Sequence, residues 1–363
     1  MKEQDMISWL MQTGGPVIRY RTAAELCGQI GYDMEQLERD LLNDSNVKKA
    51  LNLFEECTVN SNLWNWHGSK KELLENVLGK LLEFGFNKNI GVFDEKIATF
   101  YSWLDSKPPQ SPDHTPISSI FIAWCLLRSG YNFDELIKYM LKRIDYIYAS
   151  AKEQIFDIYL NGKDLKGISK KFINECIKPE LNPYSGSKPL PLIHDIYALA
   201  FYPKDLVNDE IKERINRIID YILNDSFQRI REGYGYLVLN NKNYCHSCGW
   251  SPTFPGYNGF DLEGMEQNKF FMRVELMSHF VIAHNTKWFL NSIEHLEQFC
   301  TPEGTYLLPS AYLCEKASGY YVLGAYMGLE NKRTSKSLEL ESTFRMMCIK
   351  KRMENKANSD CII

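Results

Sequence analysis

A chain of 363 residues that is 44% hydrophobic and 13% aromatic has ample material for a buried core, which excludes intrinsic disorder. Its 42 Lys and Arg stand against 46 Asp and Glu, for a formal net charge of -4 with neither sign in a long block. That balance removes the electrostatic footprint of a nucleic-acid binder, and no run approaches the roughly 18 apolar residues of a membrane span.

Residues 1–15 carry acidic side chains and only a short apolar run, so they read as neither a signal nor a transit peptide. The 10 cysteines are scattered rather than arranged as the framework of a small secreted domain, and free thiols in a reducing cytoplasm are the expected state. Cys361 is third from the end, whereas a prenylation box needs the fourth position.

Periodicity predicts a succession of helices with few strand signals. TAAELCGQI (22–30) comes first. KELLENVLGKLLEFGF (71–86) follows, with Leu73, Leu74, Val77, Leu78, Leu81 and Leu82 at helical spacing and Gly85 as a left-handed cap. KIATFYSWLD (96–105) precedes a proline-containing break at 107–116. ISSIFIAWCLLRSGY (117–131), capped at Gly130, is apolar on more than one stripe and is expected to pack on two sides. DELIKYMLKRIDYIYAS (134–150) leads to a second proline-containing loop, 178–192, and then HDIYALAFY (194–202) and DEIKERINRIIDYIL (209–223). KFFMRVELMSHFVIAH (269–284), again apolar on several sides, precedes TKWFLNSIEHLEQF (286–299). GYYVLGAYMGLE (319–330), with Gly328 as its cap, and SLELESTFRMMCIKK (337–351) complete the set. The expected fold is all-α, a single domain over 1–363 with short N-terminal and C-terminal tails.

The opening WLMQTGGPVIRYRTAAEL (9–26), the segment WHGSKKELLENVLGKLLEFGF (66–86), and GYGY (233–236) followed by CGWSPTFPG (248–256) and the ELMSHF helix together resemble bacterial prenyltransferase-like or squalene-cyclase-like proteins. Those proteins are similar to the α/α toroid superfamily, in which inner and outer rings of helices surround a central cavity. The resemblance covers most of the chain and implies a two-layer α/α toroid of helical hairpins. It also implies an apolar, isoprenoid-like substrate held in an aromatic cavity. Fold analogy alone does not assign chemistry.

Polar and metal-capable residues concentrate between Tyr244 and Cys300. Cys245 and Cys248 in CHSC have the two-residue gap that lets two thiolates reach one zinc ion. With His279 and His284, spaced to share a helical face, they would form a closed Cys2His2 set; a three-ligand subset would leave a position open for catalysis. By the resemblance, a toroid prenyltransferase binds zinc through Asp, Cys and His and a lanthionine cyclase through two Cys and a His, for which Cys245, Cys248 and His279 are the nearest equivalents. The sequence contexts that define such ligands in those families are absent, and incidental thiols and loop histidines explain the same residues.

Terpene-cyclase signatures are missing: there is no D-x-D-D acid and no Asp-rich magnesium motif, and NDSFQRIRE (224–232) has Gln228 where Ser or Thr belongs. That segment reads as the exposed end of a helix. Asp261 and Glu263, with Arg273 and Glu275 on the next helix, would serve acid-base chemistry if one carboxyl were desolvated; capping that helix, or an Arg273 to Glu275 ion pair, accounts for them equally. His279 is a further acid-base candidate.

Trp64, Trp66, His67, Tyr244, Trp250 and Arg273 are the candidate substrate contacts. The tryptophans would wall a cavity through cation–π attraction or simply fill the core. His295 reads as a helix-surface histidine. P-loop, GxGxxG, GxSxG and HExxH motifs are absent. The competing functions are an enzyme-like protein for an apolar small molecule, a helical scaffold for a peptide or protein partner, and a zinc-dependent transferase.

Overall fold

The computed structural model describes residues 3–59, 66–105, 117–161, 168–169, 171–238, 245–260, 265–330 and 334–354. The chain is mostly helical: α1 (Glu3–Thr13), α2 (Pro16–Arg21), α3 (Met34–Asn43), α4 (Ser45–Val59), α5 (Leu74–Glu83), α6 (Gly91–Ile97), α7 (Ile117–Arg128), α8 (Asp134–Glu153), α9 (Ile193–Ala200), α10 (Asp209–Ile222), α11 (Asp225–Gln228), α12 (Gln267–Met277), α13 (Lys287–Glu297) and α14 (Ser335–Glu354). Two short antiparallel strands, β1 (Tyr236–Val238) and β2 (Cys245–Ser247), pair in the register Leu237 to His246. Among the described residues, no helix is long and apolar enough to cross a membrane.

Contacts cluster in two compact units. The described residues within Met1–Tyr101, Arg128–Gly130 and Leu262–Ile362 form the first, and those within Ser102–Leu127 and Tyr131–Asp261 the second.

In the first unit, α5 ends as its sequence predicts. Gly85 adopts φ +88, and the amides of Gly85 and Phe86 bond the carbonyls of Leu82 and Leu81 at 3.1 Å each, closing a Schellman motif over the orphan carbonyls. Asp33 caps α3 by accepting the Gln36 amide at 3.0 Å, and Asp44 caps α4 through the amides of Asn46 and Val47. Gly79, in the middle of α5, gives room to Tyr321: a Cβ there would lie 2.2 Å from the ring.

Beneath this packing lies a buried charge network. Glu83 on α5 meets Arg345 on α14 at 2.6 Å and Arg128 at 2.9 Å, and accepts the Tyr321 hydroxyl. Arg345 also reaches Glu275 on α12 at 2.7 Å and the Met327 carbonyl at 2.6 Å. Burial alone would raise the Glu83 pKa, yet Arg345, Arg128 and Arg21 together hold it well below the usual carboxylate value.

In the second unit, every residue of α7 from Ile117 to Leu127 is buried, as an all-round apolar helix requires. Asp195 accepts Arg143 in a bidentate pair at 2.7 and 2.8 Å and also caps α9 through the Leu192 amide at 2.7 Å. The proline-containing loop 178–192 is tied down by a one-turn 3₁₀ helix, Pro179–Leu181, and by the Lys188 and Leu190 amides on the Glu180 and Leu181 carbonyls. The 107–116 loop lies outside the described residues.

Several predicted helices take other forms: TAAELCGQI is a π-helical turn over Thr22–Leu26, and KIATFYSWLD is 3₁₀ from Ala98 to Asp105. GYYVLGAYMGLE is a hairpin-like loop with one 3₁₀ turn, Tyr321–Leu323, and its left-handed cap is Gly324 (φ +78), not Gly328. KFFMRVELMSHFVIAH breaks after Met277: the Ser278 hydroxyl bonds back to the Glu275 carbonyl at 2.6 Å, Phe280 is extended, and a 3₁₀ turn follows at Val281–Asn285. A serine that satisfies helix carbonyls with its own side chain weakens the next turn.

Candidate functional site

The first unit carries an open cleft of about 690 Å³, within the size range of small-molecule sites. Asn46, Lys49, Ala50 and Leu53 recur at three- and four-residue spacing, so one stripe of α4 forms a wall. The same spacing brings Val77, Lys80 and Phe84 of α5 to the floor. The third side is the segment from Glu315 to Glu330, whose ends are joined by an antiparallel bridge between Glu315 and Tyr326 and by the Lys316 amide on the Ala325 carbonyl at 2.8 Å. Asn76 anchors that segment by accepting the Tyr321 amide at 2.8 Å.

Lys49, Lys71, Lys80 and Lys316 line the cleft with two carboxylates, Glu315 and Glu330. Lys80 is committed: it donates to Glu315, to the Gly328 carbonyl and to the Tyr326 carbonyl at 3.4 Å, and sits 4.9 Å from the centre of the Phe84 ring. Glu330 accepts the Gly15 amide at 3.0 Å. Among the described residues, the ammonium groups of Lys49, Lys71 and Lys316 have no ion-pair or hydrogen-bond partner. The arrangement is an apolar floor with a surplus of positive charge at its edges, which suits an anion with an apolar body.

The described sequence candidates are not among the cleft residues. Asp261, Glu263, Trp64 and Tyr244 lie outside the described residues, as does the side chain of Cys245. Glu275 is the partner of Arg345 rather than of Arg273, and Arg273, fully buried, donates to the Val322 carbonyl at 2.9 Å. His279 follows the end of α12 and is half-buried, so it shares no helical face with His284. His284 is buried, with Nε2 2.9 Å from the Ser278 carbonyl and its ring stacked on Phe289.

Cys248 is buried in the second unit, and that burial pushes its thiol up to about 12. A thiol so placed resists becoming the thiolate that binds metal. Among the described residues, no group of three or more His, Cys, Asp or Glu side chains is arranged to hold a metal ion. Trp250 is held at φ +67, with its carbonyl accepting the Ile193 amide at 2.7 Å and its ring edge-on to His194.

Trp66 and His67 are brought together, their rings 5.1 Å apart. His67 Nδ1 lies 2.5 Å from the fully buried carboxyl of Glu75, and its ring stacks on Tyr320.

Two further readings are corrected. His295 is buried rather than on the helix surface; its Nε2 is 2.7 Å from the Tyr312 hydroxyl, and desolvation lowers its pKa. NDSFQRIRE is not simply an exposed helix end, because Gln228 is buried: its amide donates to the Ile222 and Pro252 carbonyls and its oxygen accepts the Phe254 amide at 2.9 Å.

The cleft lysines gave no sequence signal, since each alone reads as part of a solvated helix face or loop. No family model, curated protein or solved structure matches this chain.

Proposed function

We propose that the first unit binds an anionic ligand with an apolar body in the cleft between α4, α5 and the 315–330 segment. The observation that carries this reading is the set of three lysines, unpartnered among the described residues, beside the apolar lining of Ala50, Leu53, Val77 and Phe84. Burying the ligand's hydrocarbon supplies affinity at about 25 cal/mol per Å², and the ammonium groups select its charge. The isoprenoid-like substrate implied by the resemblance is a member of this class when it carries an anionic group. The α/α toroid of helical hairpins is the arrangement we propose for the helices; α7 and α12, buried on nearly all faces, support it because a helix of an inner ring has neighbours on both sides.

The test is calorimetric titration with octyl phosphate below its micelle concentration, with octyl glucoside as the uncharged control. Octyl phosphate binds and octyl glucoside binds more weakly. Lys49→Ala, Lys71→Ala and Lys316→Ala each reduce affinity by about two- to fivefold, as exposed charge pairs do, and added salt weakens binding. Equal affinity in the wild type and the triple variant would overturn the reading.

A further inference from the structure

The Lys80 ammonium has three donors, and three acceptors already take them: the Glu315 carboxylate and the carbonyls of Gly328 and Tyr326. An anion entering the cleft reaches Lys80 only by displacing one of these. Gly328 and Tyr326 are buried, so displacing either carbonyl leaves an acceptor poorly solvated. The Glu315 side chain is 43% exposed, so water solvates it when it is released. Glu315 is therefore the partner most easily given up.

We propose, resting on the cleft reading above, that Glu315 is an internal competitor for the ligand: its carboxylate holds Lys80 where the ligand's anionic group binds, and ligand entry exchanges one anion for the other. The same Glu315 oxygen that bonds Lys80 accepts the Gly328 amide at 2.7 Å. The exchange therefore also loosens the base of the 315–328 hairpin, and cleft occupancy is reported in that segment. No covalent step is involved.

Glu315→Gln tests this directly, because the amide oxygen still accepts from Gly328 while the competing charge is gone. Octyl phosphate binds the variant about two- to fivefold more tightly than the wild type, with an unchanged circular dichroism spectrum. In the wild type, saturating octyl phosphate accelerates hydrogen exchange at the Gly328 amide, a measurement that needs no variant and stands if Glu315→Gln fails to fold.

Unchanged or weaker binding by a folded variant, or unchanged Gly328 exchange on binding, overturns the competitor role. If octyl phosphate binding still depends on Lys49, Lys71 and Lys316, that result leaves the cleft reading in place. Absence of octyl phosphate binding in both proteins overturns the cleft reading and this inference with it.

Discussion

Glu83 Oε2 lies 2.6 Å from Arg345 Nη2 with their side chains 3% and 1% exposed, so α5 and α14 are joined by an ion pair almost wholly out of water. Glu83 also serves Arg128 and Arg21, and Arg345 also serves Glu275. Removing one partner strands the others, and this makes the network costly to break although its net contribution to stability is small.

Glu83→Gln destabilises the first unit by about 3–5 kcal/mol, the cost of leaving a buried charge uncompensated. The pH dependence has a definite sign. The folded-state pKa of Glu83 lies below its ordinary value near 4.5, so its contribution is complete above that value and is lost as pH falls through the folded-state value. Urea denaturation between pH 3 and about 7 shows stability falling with acid in the wild type, and a flatter acid limb in the variant.

Glu275→Gln costs less, about 1.5–3 kcal/mol for a hydrogen bond to a charged group. Arg345 keeps Glu83 and the Met327 carbonyl when this partner is neutralised. A lowered melting temperature with an unchanged far-ultraviolet spectrum is the expected result. Loss of any activity in this variant is therefore interpretable only beside a stability measurement.

Gly79→Ala tests two opposing terms. Alanine gains about 1 kcal/mol of helix propensity over glycine, but its Cβ would meet the Tyr321 ring at 2.2 Å. Tyr321 cannot easily yield, since its hydroxyl is bonded to Glu83 and Arg128 and its amide to Asn76. Overpacking wins, and the variant is net less stable by about 1–2 kcal/mol in chemical denaturation.

Thiol reactivity follows exposure and thiolate content. Among the described cysteines, Cys300 is the exposed one and is alkylated before the others by iodoacetamide at pH 8. Cys248 and Cys348, buried with thiols pushed up to about 12, and Cys57, pushed up to about 11, react only slowly until denaturant is added. Peptide mass mapping over a time course checks the order, and early labelling of Cys248 would contradict its burial.

The helices with one dominant local signal were legible in the sequence. The 3.6-residue spacing of Leu74, Val77, Leu78 and Leu81 and the glycine after it specify α5 and its end, because backbone geometry and a left-handed cap are decided within a few residues. The apolar stripes of 117–131 likewise pointed to a helix packed on two sides, and every residue from Ile117 to Leu127 is buried. Where local and tertiary preferences compete, the spacing misled. The run 269–284 reads as one helix but stops at Met277, because Ser278 bonds back to the Glu275 carbonyl and its own carbonyl lies against His284. The run 319–330 has helical composition, yet Asn76, Glu83 and Glu341 claim its amides and hydroxyl from other elements.

By itself, then, the sequence determined the helical class and the placement of α5, α7, α8, α9, α10, α13 and α14 to within a few residues, which depends on neighbours three or four residues away, whereas α1, α2, α3 and α4 were not among its predicted helices. Only the tertiary structure decided which charges meet. Glu83 and Arg345 are separated by 262 positions and Lys80 and Glu315 by 235, and no local pattern distinguishes them from solvated surface residues. The cleft exists because α4, α5 and the 315–330 segment converge in the first unit, and convergence is a property of packing rather than of periodicity.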